Sequence, residues 1–410
     1  MKQKILVLCL GTSCDFRLMD YAIHSIINPH KRFSIIYISD SKHIVPTDCT
    51  GVYYETPDFV TEDPDLPLAN TKMNDIYWGV VNIFKLYDAL GFYKDLTKLL
   101  LGTIEKYDPI ALCILYPALG VLCRLPSEIF DKVPAHVIYY APGFPNKEIP
   151  WLFDSRLKSS RFSIYKKKWV QNNIESGDKY ISRILIGTGN EKNILDKMNH
   201  VLCWDKNIIP SSVFPSYANV IRKGALNPTV KFMEKWPQVP RKLSPLFVRE
   251  NNMIFMSFGT YGQSDLLLTC LPILLQKLQA FCLKNNYFVL FHNPHSSISL
   301  TGTTEWLYQF TGYVPYEFVV PRSKLVIFTG SVCLQNICFY HKVPMLFLPL
   351  LSEQFFWSWN YKHYTDIKFI NYKKQRNSID IKKAIHSSKV KSYLRKVSNS
   401  MHKPVEPLKF

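Results

Sequence analysis

The stretch from residue 311 to residue 359 constrains the fold more than any other part of the chain. An apolar strand is predicted over residues 325–328, and it runs into a small polar loop formed by Thr329, Gly330 and Ser331. A segment of helical length follows, and a second apolar strand is predicted over residues 345–348. In open α/β sheets, ligands bind beyond the carboxyl ends of the strands, and small residues at a helix start leave backbone N–H groups available to an anion. The stretch therefore predicts half of a nucleotide-binding site.

The first half of the chain alternates apolar runs with segments of helical length. Strands are predicted over residues 5–10, 33–38, 110–115, 136–140 and 201–204. The first of these runs is too short for a signal peptide, and Gly11 and Thr12 follow it at once, so we interpret it as a first strand. Strands that alternate with helical segments are typical of βαβ units and a parallel sheet.

A proline-rich stretch separates this half from a second α/β unit. Residues 226–250 contain four prolines and little periodicity, which indicates a linker. Beyond it, strands are predicted over residues 253–257 and 287–291, with apolar residues at helical spacing between them. We expect an N-terminal domain over residues 1–228, a linker over 229–250 and a C-terminal domain over 251–410.

The charge balance favours anionic partners. The formal net charge is +18, which suits an anionic ligand, an anionic membrane surface or nucleic acid. No nucleic-acid-binding signature accompanies the charge, so we do not expect nucleic acid as a partner. No apolar run reaches the roughly 18 to 20 residues that span a bilayer. The ten cysteines include no Cys-x-x-Cys pair, so we expect a cytoplasmic protein that can associate with a membrane surface.

Three loops at predicted strand ends combine glycine with hydroxyl residues. They are Gly11-Thr12-Ser13, Gly259-Thr260 and Gly330-Ser331. Glycine permits a close backbone approach, and a hydroxyl can donate to a phosphate or sugar oxygen. Each loop alone is also an ordinary strand-to-helix turn. Taken together, they predict a ligand site at the strand ends.

Two acidic positions near these loops have both a structural and a functional interpretation. Asp15 lies four residues after Gly11, where it could complement the dipole of the first helix. It could equally act as a general base that takes a proton from an acceptor hydroxyl. Glu353 and Gln354 follow the strand at 345–348; they could cap a helix or hold adjacent sugar hydroxyls.

The remaining candidates are aromatic rings and histidines. Tyr313 could pack in the core or offer a stacking face to a base. His292 and His295 flank a short turn without an acidic third ligand, so we expect no metal site. No P-loop, Gly-x-Gly-x-x-Gly or Gly-x-Ser-x-Gly element is present in the sequence, which leaves ATPase, dehydrogenase and esterase functions without support.

Taken in order, these motifs resemble a known family. Residues 314–357 resemble the donor-binding signature of UDP-sugar glycosyltransferases, and the closest branch is that of sterol glucosyltransferases and glycopeptide-antibiotic glycosyltransferases. The first loop, with Gly11, Thr12 and Asp15, is similar to the Gly-Thr-Arg-Gly-Asp loop of that branch. Residues 256–260 resemble its first C-terminal-domain strand and turn.

The resemblance implies an α/β protein of the GT-B fold, with two Rossmann-like domains whose parallel sheets face across a cleft. It implies a C-terminal domain that binds UDP-sugar as co-substrate, without a further cofactor, and an N-terminal domain that binds an apolar small-molecule or lipid acceptor. Hexose transfer to the acceptor hydroxyl would be inverting and metal-independent, with Asp15 as general base. The implied donor-binding residues are Gly11, Thr12, Ser13, Gly259, Thr260, Tyr313, Val314, Thr329, Gly330, Ser331, Glu353 and Gln354.

The donor loop departs from the family pattern. Thr329 stands in place of the second histidine of His-His-Gly-Gly, Ser331 in place of its second glycine, and Leu334 in place of a later threonine. Losing one charge-assisted contact to a diphosphate costs about 1.5 to 3 kcal/mol, or roughly one to two decades in affinity. We therefore predict a divergent enzyme with an altered donor preference. The alternatives are a catalytically inactive GT-B binding protein and a basic protein of a membrane or polyanion surface.

Overall fold

The chain forms two compact units in a computed structural model. The structure describes residues 2–56, 90–140, 197–208, 219–226, 252–259, 265–293, 305–349, 352–370 and 380–410. Within these ranges, positions 12, 42, 44, 313, 369 and 404 are not described, and neither are residues 371–379, which lie between the last two ranges. The first unit contains the described residues up to 226 together with 405–410, and the second contains the described residues from 252 to 403. The predicted linker, residues 229–250, lies outside the described residues.

In its described part, the first unit is built on a seven-stranded parallel sheet in the order β3-β2-β1-β4-β5-β6-β7. The inner strands are continuous apolar runs because both of their faces are buried. Ile5 of β1 lies between Ile35 of β2 and Ala111 of β4. The strands are β1 (Lys4–Leu8), β2 (Ser34–Asp40), β3 (Cys49–Tyr54), β4 (Ala111–Leu115), β5 (Ala135–Tyr139), β6 (Asn199–Leu202) and β7 (Val220–Arg222).

Helices connect these strands. The helix after β1 continues into one turn of π-helix, Ile23–Ile27, before it ends at Asn28. The longest described helix of the unit packs Leu96 and Leu100 into the core. The helices are α1 (Ser13–Ala22), α2 (Phe92–Tyr107), α3 (Leu119–Leu122) and α4 (Ile129–Lys132).

The second unit repeats the arrangement on a smaller scale. Its described strands form a five-stranded parallel sheet in the order β10-β9-β8-β11-β12. These strands are β8 (Met253–Ser257), β9 (Phe288–His292), β10 (Leu307–Phe310), β11 (Ser323–Phe328) and β12 (Met345–Phe347). The helices are α5 (Asp265–Asn285), α6 (Tyr316–Val319), α7 (Val332–Tyr340), α8 (Ser352–Thr365), α9 (Ile381–His386) and α10 (Ser388–Met401). Among the described helices, none is both long and apolar enough to cross a bilayer.

Both sheets have a point at which the strand order reverses. In the first unit, β1 lies between β2 and β4; in the second, β8 lies between β9 and β11. The loops that leave the carboxyl ends of such strands run in opposite directions and open a crevice between them, where ligands of doubly wound sheets bind. The predicted loops after β1, β8 and β11 all leave strands at these two points.

The sequence predicted the inner strands well and missed three others. The strand over residues 253–257 is confirmed at both ends, and the other predicted strands are confirmed with ends shifted by one or two residues. Strands β3, β7 and β10 were not predicted. All three lie at sheet edges and are only partly buried, so they lack the continuous apolar runs of the inner strands.

The C-terminal tail packs in the first unit. The backbone N–H of Leu408 donates to the carbonyl of Ile26 at 2.7 Å, and the ring of Phe410 lies 5.2 Å from the ring of His136. Lys223 Nζ donates to the carbonyl of Pro407 at 2.9 Å. The sequence analysis placed the whole of 251–410 in the C-terminal domain; for residues 405–410 these contacts correct that assignment.

Lys342, which follows α7, offers a test of the helix end. It adopts a left-handed conformation with φ 62°, and the Val343 N–H donates to the Cys338 carbonyl at 2.8 Å, as in a Schellman motif. A β-carbon in this conformation costs about 1 kcal/mol relative to glycine. We expect Lys342→Gly to raise the melting temperature by about 2 to 4 °C in calorimetry.

Lys342→Ala is the matched control. It removes the charge and the long side chain but keeps the β-carbon, so we expect no gain in melting temperature. An equal gain in both variants would show that the lysine side chain, rather than the backbone conformation, limits stability at this position.

Candidate functional site

The turn after β1 brings a glycine against a carboxylate. Gly11 has φ 142°, a conformation that favours glycine. Asp15 lies in the first turn of α1 and is 6% exposed. A β-carbon on residue 11 would overlap the Asp15 carboxyl group. Glycine is therefore required here for the carboxylate to occupy its buried position, which also complements the N-terminal end of the helix dipole.

Tyr140 donates a hydrogen bond to Asp15 Oδ1. Tyr140 follows β5 directly and is 6% exposed, and its ring packs against that of Tyr116 with centroids 5.1 Å apart. Because β5 is separated from β1 only by β4, the carboxyl end of β5 brings this hydroxyl within reach of α1. The sequence analysis did not name Tyr140; its position at the end of a predicted strand was the available signal.

Other aromatic side chains lie along the same carboxyl edge. The Tyr54 hydroxyl, at the end of β3, donates to the carbonyl of Cys9 at 2.5 Å, and the Tyr54 ring lies 5.9 Å from that of Phe92. Burial, followed by the nearby charges of Asp15 and Asp20, raises the pKa of the Cys9 thiol. Residues beyond the strand ends of the first unit therefore combine aromatic surfaces with carboxylates.

A second carboxylate on α1, that of Asp20, lies beside a histidine. Asp20 is 2% exposed, and its Oδ2 lies 3.3 Å from Nε2 of His43. Burial raises the pKa of Asp20, while the hydrogen bond and charge of His43 lower it. The ring of Phe16 stacks on that of His43 at 4.6 Å. Asp20 thus lies against the His43 imidazole, whereas Asp15 accepts a hydrogen bond from the Tyr140 hydroxyl.

In the second unit, glycine turns follow two adjacent strands. Gly259 follows β8 with φ 56°, and Gly330 follows β11 with φ 117°. The two strands pair in register, with Ser257 opposite Phe328. Thr329, which precedes Gly330, is 3% exposed. The two turns therefore leave the same edge of the sheet side by side.

Gly330 packs against the helix that carries Gln354. A β-carbon on Gly330 would lie 3.1 Å from the Gln354 β-carbon and 3.2 Å from its α-carbon. Gln354 lies in the first turn of α8 and is 5% exposed. Two predicted donor-binding residues, separated by α7 and β12 in the sequence, are thus neighbours in space.

Helix α7 begins at Val332, two residues after Gly330. Ser331 is its N-cap, and its side chain makes no capping hydrogen bond. The Ser331 carbonyl accepts from the Gln335 N–H at 2.9 Å. The first-turn N–H groups of a helix have no intrahelical partners and attract negative charge. The N-terminus of α7 therefore suits an anion such as a diphosphate.

Ser257, His292 and Tyr316 form a cluster that the sequence analysis missed. His292 Nδ1 lies 3.1 Å from Ser257 Oγ, and Ser257 Oγ lies 3.1 Å from the Tyr316 hydroxyl. His292 Nε2 lies 3.1 Å from the carbonyl of Gly312. Ser257 and His292 are the last residues of β8 and β9. The cluster links the ends of two strands to Gly312 and Tyr316, which lie on either side of Val314.

The remaining predicted site residues include some that the structure describes and some that it does not. Val314 is buried, at 2% exposure. Ser13 is the first residue of α1, and Glu353 is the second residue of α8. Thr12, Thr260 and Tyr313 lie outside the described residues. Across the described ranges, no group of three or more His, Cys, Asp or Glu side chains could hold a metal ion.

Comparison with solved structures identifies the fold. The chain resembles the glycosyltransferase of kitacinnamycin with a TM-score of 0.65 at 12% identity, over 98% of this chain and 95% of that one. It resembles the spinosyn rhamnosyltransferase SpnG, complexed with thymidine diphosphate, with a TM-score of 0.59 at 11% identity, over 99% and 98%. A UDP-glucosyltransferase from Polygonum tinctorium, capable of glucosylating indoxyl, has a TM-score of 0.56 at 11% identity, over 97% and 94%.

These comparisons confirm the expected fold class. The two parallel sheets and the near-complete coverage of these structures show that the chain has the GT-B fold. No family model matches the sequence, and a search of curated proteins finds no significant match. The closer resemblance to sterol glucosyltransferases stays a prediction.

Replacing Gly330 tests the contact with Gln354. We expect Gly330→Ala to lower the free energy of unfolding by about 2 to 3 kcal/mol, because φ 117° strains an L-residue and the new methyl group would press on Gln354. Chemical denaturation monitored by circular dichroism measures the change.

Gly259→Ala provides the control. Gly259 also has a positive φ, but nothing lies within 4 Å of a β-carbon built there, so we expect a loss of about 1 kcal/mol. Equal losses in the two variants would show that packing against Gln354 contributes nothing at position 330.

Proposed function

We propose that the protein is a glycosyltransferase that moves a hexose from a UDP-sugar to a hydroxyl group of an apolar acceptor. The observation that carries the proposal is the buried carboxylate of Asp15, held between Gly11 and the Tyr140 hydroxyl at the switch point of the first sheet. The GT-B fold supports it, since the structures that the chain resembles include glycosyltransferases.

The donor would bind at the second unit. The N–H groups at the start of α7 suit the diphosphate, and we propose that they, rather than a metal ion, stabilise the charge of the leaving group. Gly330 would allow the backbone to approach the phosphates. Gln354, which lies beside Gly330, would hold sugar hydroxyls together with Glu353, next to it in the chain. The backbone of Val314 would pair the edge of the uracil.

Asp15 would act as the general base. As the acceptor oxygen attacks the anomeric carbon, its proton passes to the Asp15 carboxylate, and the bond between that carbon and the diphosphate oxygen breaks. A single displacement of this kind inverts the configuration at the anomeric carbon and releases UDP. Tyr140 would orient the carboxylate, because its hydroxyl donates to Oδ1.

The aromatic edge of the first unit supports an apolar acceptor. Tyr54, Phe92, Tyr116 and Tyr140 lie around the carboxyl ends of the strands, and rings of this kind bind aromatic or lipid-like molecules well. One neighbouring structure is that of an enzyme capable of glucosylating indoxyl, a small aromatic molecule. The acceptor class that we propose therefore includes aromatic alcohols as well as lipids.

The surface charge supports contact with an anionic membrane, where a lipid acceptor would be found. No acidic residue occurs between positions 381 and 403, so the solvent-facing side of α9 and α10 is positively charged. Its exposed basic residues include Lys382, Lys383, Lys391, Arg395 and Lys396, while Lys389 pairs with Asp366 at 2.5 Å. All ten cysteines are free, which supports a cytoplasmic location.

A specific observation favours one alternative, a GT-B protein that binds a nucleotide without catalysing transfer. Leu334, which replaces the threonine of the family's donor loop, is 2% exposed and belongs to the core. The donor loop therefore lacks that hydroxyl. The alternative predicts that UDP binds in calorimetry while no UDP is released from UDP-glucose.

Asp15→Asn tests the proposed function directly. The amide keeps the size of the side chain and can still accept from Tyr140, but it cannot take a proton. We expect UDP release from UDP-glucose, with indoxyl as an acceptor probe, to fall by about 10² to 10⁴-fold. The affinity for UDP, measured by calorimetry, should stay within about twofold.

Two further variants sharpen the test. Asp95→Asn alters an exposed aspartate of α2 and should leave the rate unchanged. Tyr140→Phe removes the hydrogen bond to Asp15 and should lower the rate by about tenfold. Full activity of Asp15→Asn would exclude Asp15 as the base.

A further inference from the structure

The polar cluster in the second unit has a defined pattern of donors and acceptors. We name Ser257, His292 and Tyr316 the strand-end clip. The carbonyl of Gly312 can only accept, so His292 Nε2 carries the proton and donates to it at 3.1 Å. In the neutral imidazole, Nδ1 is then an acceptor, and the Ser257 hydroxyl lies 3.1 Å from it. The Tyr316 hydroxyl lies 3.1 Å from Ser257 Oγ and 3.4 Å from His292 Nδ1, so the three side chains form one hydrogen-bonded group.

The clip holds a short segment at both of its ends. Gly312, near the start of the segment, is bonded through its carbonyl, and Tyr316, at the end, is bonded through its side chain. Val314 lies midway between these two attachments. Its side chain is buried, at 2% exposure, so the orientation of its backbone follows from how the segment is fixed.

The position of the clip in the sheet explains why it can fix this segment. His292 pairs with Ser257 of β8 on one side and with Phe310 of β10 on the other. The ring of His292 stacks on that of Phe255, with centroids 6.4 Å apart and planes 18° apart. The imidazole is therefore anchored to rigid strand ends rather than to a loop, and it is 7% exposed.

These contacts use both ring nitrogens of His292. Nε2 is engaged with the Gly312 carbonyl and Nδ1 with the Ser257 hydroxyl. The side chain is used to hold protein backbone, which is the arrangement expected of a residue that orients a binding group.

We propose that His292, supported by Ser257 and Tyr316, is a positioning residue for the nucleobase of the donor. By fixing the segment between Gly312 and Tyr316, it presents the backbone N–H and carbonyl of Val314 to the edge of a pyrimidine base. This inference rests on the proposed function of the second unit as the nucleotide-binding unit. It assigns no direct contact with the ligand to His292.

The experiment compares two amide variants of His292 that differ in length. The amide nitrogen of glutamine can occupy the position of Nε2 and donate to Gly312, whereas asparagine reaches only the position of Nδ1. We expect the dissociation constant for UDP to rise about five- to tenfold in His292→Asn and to stay within about threefold of the wild type in His292→Gln.

Binding of inorganic pyrophosphate distinguishes a weaker interaction with the base from a general loss of ligand binding. It carries the diphosphate without the base, so its dissociation constant should be equal in the wild type and in both variants. His136→Asn, which alters a histidine buried in the first unit, should change neither constant. In turnover assays with UDP-glucose, His292→Asn should raise KM and leave kcat unchanged.

Each outcome bears on the inference. A uridine-specific loss that His292→Gln restores supports it. Equal UDP affinity in the wild type and His292→Asn overturns the inference and leaves the proposed function intact. A parallel loss of UDP and pyrophosphate binding indicates a purely structural role for His292, and it likewise overturns the inference without affecting the proposed function. If the wild type binds UDP no more tightly than pyrophosphate, both the inference and the proposed donor fail. Tyr316→Phe, which keeps His292, should weaken UDP binding by about threefold and provides an independent check.

Discussion

The candidate site depends first on a carboxylate buried against a glycine. Asp15 occupies the space that any side chain at position 11 would need, and it loses most of its hydration there. Such burial is unfavourable without a compensating hydrogen bond. The Tyr140 hydroxyl supplies that bond from the end of a strand two positions along the sheet. The strand order and one glycine therefore both contribute to where the acidic group lies.

In the second unit, a glycine again allows close packing, but here the backbone packs against an amide side chain. Gly330 lets the backbone lie against Gln354 and leads directly into α7. Among the described residues, the groups at this turn are the backbone N–H donors at the start of α7 and the Gln354 amide. The first unit thus offers a group that can accept a proton, and the second offers groups that favour negative charge. This division matches the two requirements of sugar transfer from a nucleotide, namely activation of the acceptor and stabilisation of the leaving diphosphate.

The sequence predicted what depends on local pattern and missed what depends on strand order. Continuous apolar runs identified the inner strands, and the glycine turns after β1, β8 and β11 were predicted because each is encoded by a few adjacent residues. Tyr140 lies 125 residues from Asp15, and His292 lies 35 residues from Ser257. Their contacts arise only once β5 is two strands from β1 and β9 is next to β8. No periodicity or motif in the sequence predicts which strands become neighbours in the sheet.

The tail that packs in the first unit has a consequence for how the chain folds. Residues 405–410 contribute Leu408 and Phe410 to the surroundings of Ile26 and His136, yet they follow the entire second unit in the sequence. The second unit is therefore an insertion within the chain of the first. During synthesis from the N-terminus, the inserted unit can complete its core while the host unit still lacks its last segment. The first unit, which carries Asp15, is therefore the first whose synthesis begins and the last whose described residues are all available for folding.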